Sequence, residues 1–153
     1  MASSSRSRAF IRDGSGWHTY TTPVTPQFFD DDAIRFTAHL FQRCVHKEYD
    51  VRLVCVGDRM FAVEIDSPVG DWRRTYDTNK YRVGEVPDQV AAGMRALLKS
   101  FGLNFCAADF AVDHDGLWWF LDLNPNGQWA WLEQATGVPI SRAIADLLER
   151  NAS

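Results

Sequence analysis

Apolar residues recur along this chain at two spacings, one suited to helices and one to strands. Behind Pro87, Val90, Met94, Leu97 and Leu98 stand at i, i+4, i+7 and i+8, and Gly102 follows them. This pattern predicts an amphipathic helix over PDQVAAGMRALLKSFG. Ile140, Ile144, Leu147 and Leu148 repeat the spacing behind Pro139 and predict a second helix. WHTYTTPV at 17 to 24 follows the turn signal DGSG and reads as a strand of a first hairpin. Residues 49 to 67 read as two strands split by Gly57-Asp58, and LNFCAADFAVDHDGLWWFLDLNP as two more around His114-Asp115-Gly116. The stretch SPVGDWRRTYDTNKYRVGEV has no period and is expected to be a long, functional loop. Pro26 and Asp30 to Asp32 fit a loop and the acid-rich first turn of a short helix through His39. Strands, helix, strands, helix, with adjacent hairpins, argue for an α+β fold: an antiparallel β-sheet covered by helices.

Composition narrows the class without changing that picture. A length of 153 residues suits one main domain, and 46% hydrophobic against 24% charged residues is the balance of a folding chain. Residues 1 to 8, MASSSRSR, offer almost nothing to bury and are expected as a disordered tail, with the domain running from 9 to 153. A formal charge of −4 argues against nucleic acid as a partner, since binding there rests on clustered Lys and Arg. No apolar run nears the ~20 residues that span a bilayer, and the N-terminus has no signal-peptide core, so a cytoplasmic protein without membrane contact is expected. Cys44, Cys55 and Cys106 are odd in number and widely spaced, which fits reduced core packing better than a disulfide framework or a zinc knuckle.

The candidate chemistry lies in the last hairpin. If Asp115-Gly116 forms a two-residue type I′ turn, His114 opposes Leu117 and Asp109 falls directly opposite Asp122. Alternation puts Asn124 on the same face, with Phe110, Val112, Trp119, Leu121 and Leu123 on the other. Opposed carboxylates repel unless a cation intervenes. Two carboxylates and an amide oxygen make a hard, all-oxygen set suited to Mg²⁺, which completes its octahedron with phosphates and water and so points to nucleotide. A solvated acidic face, a slipped register, and a protonated pair in acid–base work are the other readings. Arg52 sits inside the strand VRLVCV, where a charge is costly unless paired. Its partner is either a phosphate or a structural one, Asp50 or Glu64. Trp129 and Trp131 read as lid or core packing.

From Leu103 to Leu148 the motifs GL-x-F-x-A-x-DF-x-V, the DG turn, FLDLNPNGQW-x-WLE-x-ATG-x-PI and an aliphatic helix follow in order. Upstream stand FQRCVHKEYDVRLVCVGDRMFAVEI and the DWR at 71 to 73. As a set these resemble the C-terminal half of the ATP-grasp peptide maturases, the graspetide or microviridin type, over about Thr19 to the C-terminus. The resemblance implies ATP and Mg²⁺ as cofactors, a ribosomal precursor peptide as substrate, and ester or amide formation through an acyl phosphate. It implies that Asp109, Asp122 and Asn124 bind the metal. It also implies that Gln42, Arg43, Cys44 and Val45 read the adenine edge with Lys47 nearby, and that Arg73, otherwise a solvated surface residue, lies over the phosphates with Arg52 as the second catalytic cation. The family pattern carries Glu where this chain has Asp122, which draws the oxygen back by about one C–C bond. A complete enzyme of this kind begins with further domains and a phosphate-contacting lysine. The resemblance therefore implies a truncated chain, a subunit completed by a separate chain or by a homo-oligomer, or a degenerate module that binds nucleotide without turnover.

Overall fold

Two runs of extended backbone, β1 (Ser5–Asp13) and β2 (Gly16–Val24), pair antiparallel as a hairpin in the computed structural model of this chain, which describes residues 5–13, 16–30, 32–36 and 41–151. β1 takes in Ser5 to Arg8, which composition reads as tail. Pairing with Thr21 to Val24 supplies backbone partners that their side chains do not predict. Met1 to Ser4 lie outside the described residues. A two-residue strand, β3 (Gln42–Arg43), extends this sheet along Ser5 and Arg6, giving the order β2-β1-β3. The structure has short 3₁₀ turns at Pro26–Asp30 and Asp32–Phe36; Asp31 and the end of the expected helix, residues 37 to 39, lie outside the described residues. With Ser67–Asn79, these segments form the first of two compact units, where length alone argues for one main domain.

The second unit is a five-stranded antiparallel sheet with three helices, the α+β arrangement the pattern predicts. Its strands are β4 (Lys47–Val56), β5 (Arg59–Asp66), β6 (Lys80–Gly84), β7 (Phe105–Asp113) and β8 (Trp118–Asn124), in the order β6-β5-β4-β7-β8. β6 falls in the stretch read as loop. It is an edge strand with mostly solvent-facing residues, so it lacks the apolar alternation of a covered one.

Helix α1 (Asp88–Phe101) starts behind Pro87 and ends at Gly102 in the left-handed conformation, φ 63°, a position that suits a residue without Cβ. Met94 and Leu98 pack it on Val51, Leu53, Cys55, Cys106, Ala108, Phe110 and Val112. Helices α2 (Ala130–Thr136) and α3 (Ile140–Asn151) cover the opposite face, where Leu132, Ile140 and Ala143 meet Val54, Val56, Val63 and Ala107. β4 is thus covered on both sides and buried at every residue from Asp50 to Val56. Burial of each large aliphatic side chain there contributes roughly 1.5–3 kcal/mol. α2 was not predicted: at seven residues it is too short to show a period.

Cys55 and Cys106 are buried and opposite each other across β4 and β7, and neither forms a disulfide. A hydrogen bond to Cys106, together with burial, pushes the Cys55 thiol up, so it serves as packing rather than as a nucleophile.

Candidate functional site

In the last hairpin the structure brings Asp109 directly opposite Asp122 and Ala107 opposite Asn124. The route to this register differs from a two-residue turn. The Asp113 carbonyl accepts from the Gly116 N–H at 2.9 Å, and the Asp113 N–H donates to Leu117 at 3.2 Å, so three residues form the tip, with Gly116 at φ 77°. The Asp113 carboxylate accepts from the Trp119 indole N–H at 2.8 Å and from the Leu117 and Asp115 N–H groups, and these bonds hold it below the usual carboxylate range. Near the tip Val112, Ala111 and Phe110 pair with Trp118, Trp119 and Phe120; a bulge then leaves Leu121 as the extra residue of β8 and restores Asp109 to Asp122. The longer tip and the bulge cancel. As a correction to the simple alternation, Trp118 and Phe120 lie on the Phe110 face, whereas Trp119 pairs with Ala111 on the other.

The carboxylates differ in surroundings. Asp122 and Asn124 are exposed on the edge strand, while the Asp109 side chain is 15% exposed beside β4. There Arg52, directly opposite on β4, donates through Nη1 to Asp109 Oδ1 at 2.8 Å and Oδ2 at 3.0 Å. Its Nε and Nη2 donate to the Gln128 carbonyl at 3.3 and 3.2 Å. Of the structural partners foreseen for Arg52, Asp50 forms an ion pair with Lys47, and Glu64 with Arg82. The positive partner that the opposed aspartates require is in part this guanidinium.

The loop after β8 makes that contact possible. Asn124 Oδ1 accepts from the Asn126 N–H at 2.8 Å and starts a tight turn. At Gly127 an added Cβ would stand 2.4 Å from the Ala107 Cβ and 2.8 Å from Arg52 Nη2, so only glycine lets the chain lie this close to the sheet and present the Gln128 carbonyl. Gly127 and Gln128 are site-supporting residues that the sequence reading passed over; the P-N-G turn after Asn124 was the available signal. The donor set suits a hard divalent cation. Two carboxylates and one amide oxygen share a face, two of the three are open to solvent, and Asn124 Oδ1 keeps a second lone pair beyond its Asn126 bond. Among the described residues no group of three or more His, Cys, Asp and Glu could hold a metal, so a site here would rely on the amide and on ligand phosphates.

Lys47 sits at the start of β4, ion-paired to the buried Asp50 on the strand that carries Arg52. The remaining site residues belong to the first unit. Gln42 and Arg43 are exposed on β3, and Cys44 and Val45 are half-buried after it. Arg73 lies in a 3₁₀ turn (Trp72–Arg74) and is clasped by Asp71, with Nε on Oδ1 at 2.9 Å and Nη2 on Oδ2 at 2.6 Å. Trp129 and Trp131 pack against the α2–α3 side of the second unit's core, Trp131 edge-on to Tyr81 at 5.2 Å.

No family model and no curated protein matches this chain. Solved structures do. The Chryseobacterium gregarium RiPP-associated ATP-grasp ligase, in complex with ADP and a leader and core peptide, is similar with a TM-score of 0.83 at 24% identity, over 98% of this chain and 49% of its own. Macrocyclase MdnC from Microcystis aeruginosa MRC, bound with precursor peptide MdnA, gives 0.80 at 28% identity over 97% and 48%. The ATP-grasp ligase PsnB, complexed with a precursor variant, Mg and ADP, gives 0.74 at 20% over 97% and 46%. The chain spans about half the length of each of these. No helix of the described residues is long and apolar enough to cross a membrane. With its antiparallel sheet and these similarities, the chain has the fold of about half of a RiPP-associated ATP-grasp ligase.

Proposed function

We propose that this chain supplies the magnesium–nucleotide wall of an ATP-dependent carboxylate ligase acting on a ribosomal precursor peptide. The observation that carries the reading is the opposition of Asp109 and Asp122, with Asn124 on the same face. In this reading those three hold Mg²⁺, which would neutralise phosphate charge. Gln42, Arg43, Cys44 and Val45 offer backbone groups to the adenine edge, with Lys47 nearby, and Arg52 and Arg73 supply positive charge toward the phosphates. The reaction is acyl-phosphate formation: a substrate carboxylate oxygen bonds to the γ-phosphorus, the bond to the β-phosphate oxygen breaks and ADP leaves. A hydroxyl or amine then displaces phosphate and gives an ester or amide. The protein's part is positioning and charge, with no covalent nucleophile.

Calorimetry with ATP and Mg²⁺ tests the site. Asp122→Asn is the clean variant, because Asp122 is exposed, whereas Asp109→Asn also strips a buried arginine of its counter-charge. Loss of magnesium-dependent heat in Asp122→Asn is expected; unchanged binding overturns the metal assignment. A second reading, a nucleotide-binding or assembly module without turnover, draws on the chain spanning about half of the ligases it resembles. Adding a separate chain that supplies the other half decides between them: peptide-dependent ATP hydrolysis appearing only in the mixture favours the ligase subunit, and its absence the module.

A further inference from the structure

Asp71 is the one buried carboxylate of the first unit among the described residues, 6% exposed. It collects four N–H groups. The Thr21 N–H donates to Oδ2 at 2.8 Å and the Arg73 main-chain N–H to Oδ1 at 3.2 Å, and the Arg73 Nε and Nη2 complete a two-point clasp. Arg73 Nη2 also reaches the Thr21 hydroxyl at 3.5 Å. Around this clasp the loop is cross-braced: Ser67 Oγ meets Thr75 Oγ1 at 3.0 Å, Thr75 Oγ1 donates to Asn79 at 2.7 Å, and Asn79 Nδ2 donates to the Trp72 carbonyl at 2.8 Å. Trp72 is itself buried and meets Tyr76 edge-on at 5.2 Å. A solvated surface arginine has no need of such a holder. The side chain of Arg73 is nevertheless 34% exposed, so the clasp orients a guanidinium that still faces outward.

We infer that Asp71 is a positioning residue for Arg73, holding the guanidinium by its Nε–Nη2 edge so that little ordering remains when an anion arrives. This rests on the reading of Arg73 as a phosphate contact. Two effects oppose each other and give the test its sign. Removing the negative charge of Asp71 strengthens the field at Arg73 and by itself tightens binding of a polyanion; removing the clasp frees the side chain and weakens it. Positioning predicts the second.

The experiment is calorimetry on the full chain with Mg²⁺-ATP and with adenosine, for Asp71→Asn, Arg73→Ala and the double variant. Asp71→Asn is expected to weaken ATP by about tenfold, the size of one charge-assisted hydrogen bond. Adenosine binding should stay as it was, and the substitution should add nothing in the Arg73→Ala background. Asp71→Glu, which keeps the charge and acceptors, should recover part of the loss. Unchanged or tighter ATP binding, a loss that extends to adenosine, or a loss that persists without Arg73 overturns the role of Asp71. If Arg73→Ala binds ATP like the unaltered chain, the phosphate reading of Arg73 is what fails. If the unaltered chain binds no nucleotide, the site reading fails first and Asp71 loses its role with it.

Discussion

Arg52 brings a full charge into a strand covered on both faces, so its energetics depend on what replaces water around it. Asp109 and the Gln128 carbonyl do so, with side-chain exposures of 9% and 15% for the ion pair. Removing one partner strands the other. Arg52→Met is expected to cost about 3–5 kcal/mol in urea unfolding, and the added change Asp109→Leu to restore much of it, because a buried pair replaced by apolar groups is often close to neutral. Gly127 offers a second test. Its missing Cβ would fall within 2.4 Å of Ala107, so Gly127→Ala should destabilise by about 1–3 kcal/mol through overpacking. Ala107→Gly in the same chain removes the nearest colliding atom and should make the combined loss smaller than the sum of the two single ones, the 2.8 Å approach to Arg52 Nη2 remaining. If instead Ala107→Gly adds its own penalty to an undiminished first one, the loop does not rest on the sheet at this point.

Among the elements, α1 and α3 were legible because each repeats apolar residues at helical spacing behind a proline, with a glycine closing α1. α1 also carries an unexploited position: Gly93 is exposed with nothing within 4 Å of an added Cβ, so Gly93→Ala should stabilise by about 0.5–1 kcal/mol in the same unfolding assay. β6 and α2 were not legible, one because its side chains meet solvent, the other because seven residues hold fewer than two turns' worth of pattern. The last hairpin was legible in outcome but not in route. The Asp-Gly dipeptide announces a turn, yet the extra tip residue is stabilised by the Asp113 carboxylate and the Trp119 indole, contacts that no local rule contains. For the site, Asp109, Asp122 and Asn124 were placed together from an assumed two-residue turn and alternation, and the pairing holds because the longer tip and the bulge cancel. The Arg52 partner could not be placed, since Asp109 lies 57 positions away and the β4–β7 pairing is a tertiary fact.

At the scale of the whole molecule the described residues form two units, so the changes expected for Arg52, Gly127 and Gly93, all in the second, are read on that unit's own transition. Acid should act on the first unit through Asp71. Burial alone would raise the pKa of this carboxylate, but its bonds from Arg73 and Thr21 outweigh that and hold it below its ordinary 3.8. A group depressed on folding contributes stability that is complete above the unfolded value and lost as pH falls through the folded one. Between neutral pH and about 5 the contribution should therefore be constant, then decline below about 4. Protection of the Thr21 amide against hydrogen exchange, corrected for the intrinsic rate, is the measurement, and Asp71→Asn should remove the decline. A protection curve that falls already between pH 7 and 5 would assign the acid response to another group.

The bulge at Leu121 has a consequence for how such a hairpin changes over generations. Tip and aspartate pair run in different registers, joined by the one extra residue of β8. A length change at the tip need not be transmitted to the pair, because loss or gain of the extra residue can absorb it. Taking out Leu121 alone would continue the tip's own register, in which the residue after Phe120 falls opposite Asp109, and that residue would then be Asp122. The bulge works as a slack joint: the outer end of the hairpin is free to drift under mutation while the chemistry at its base stays in place.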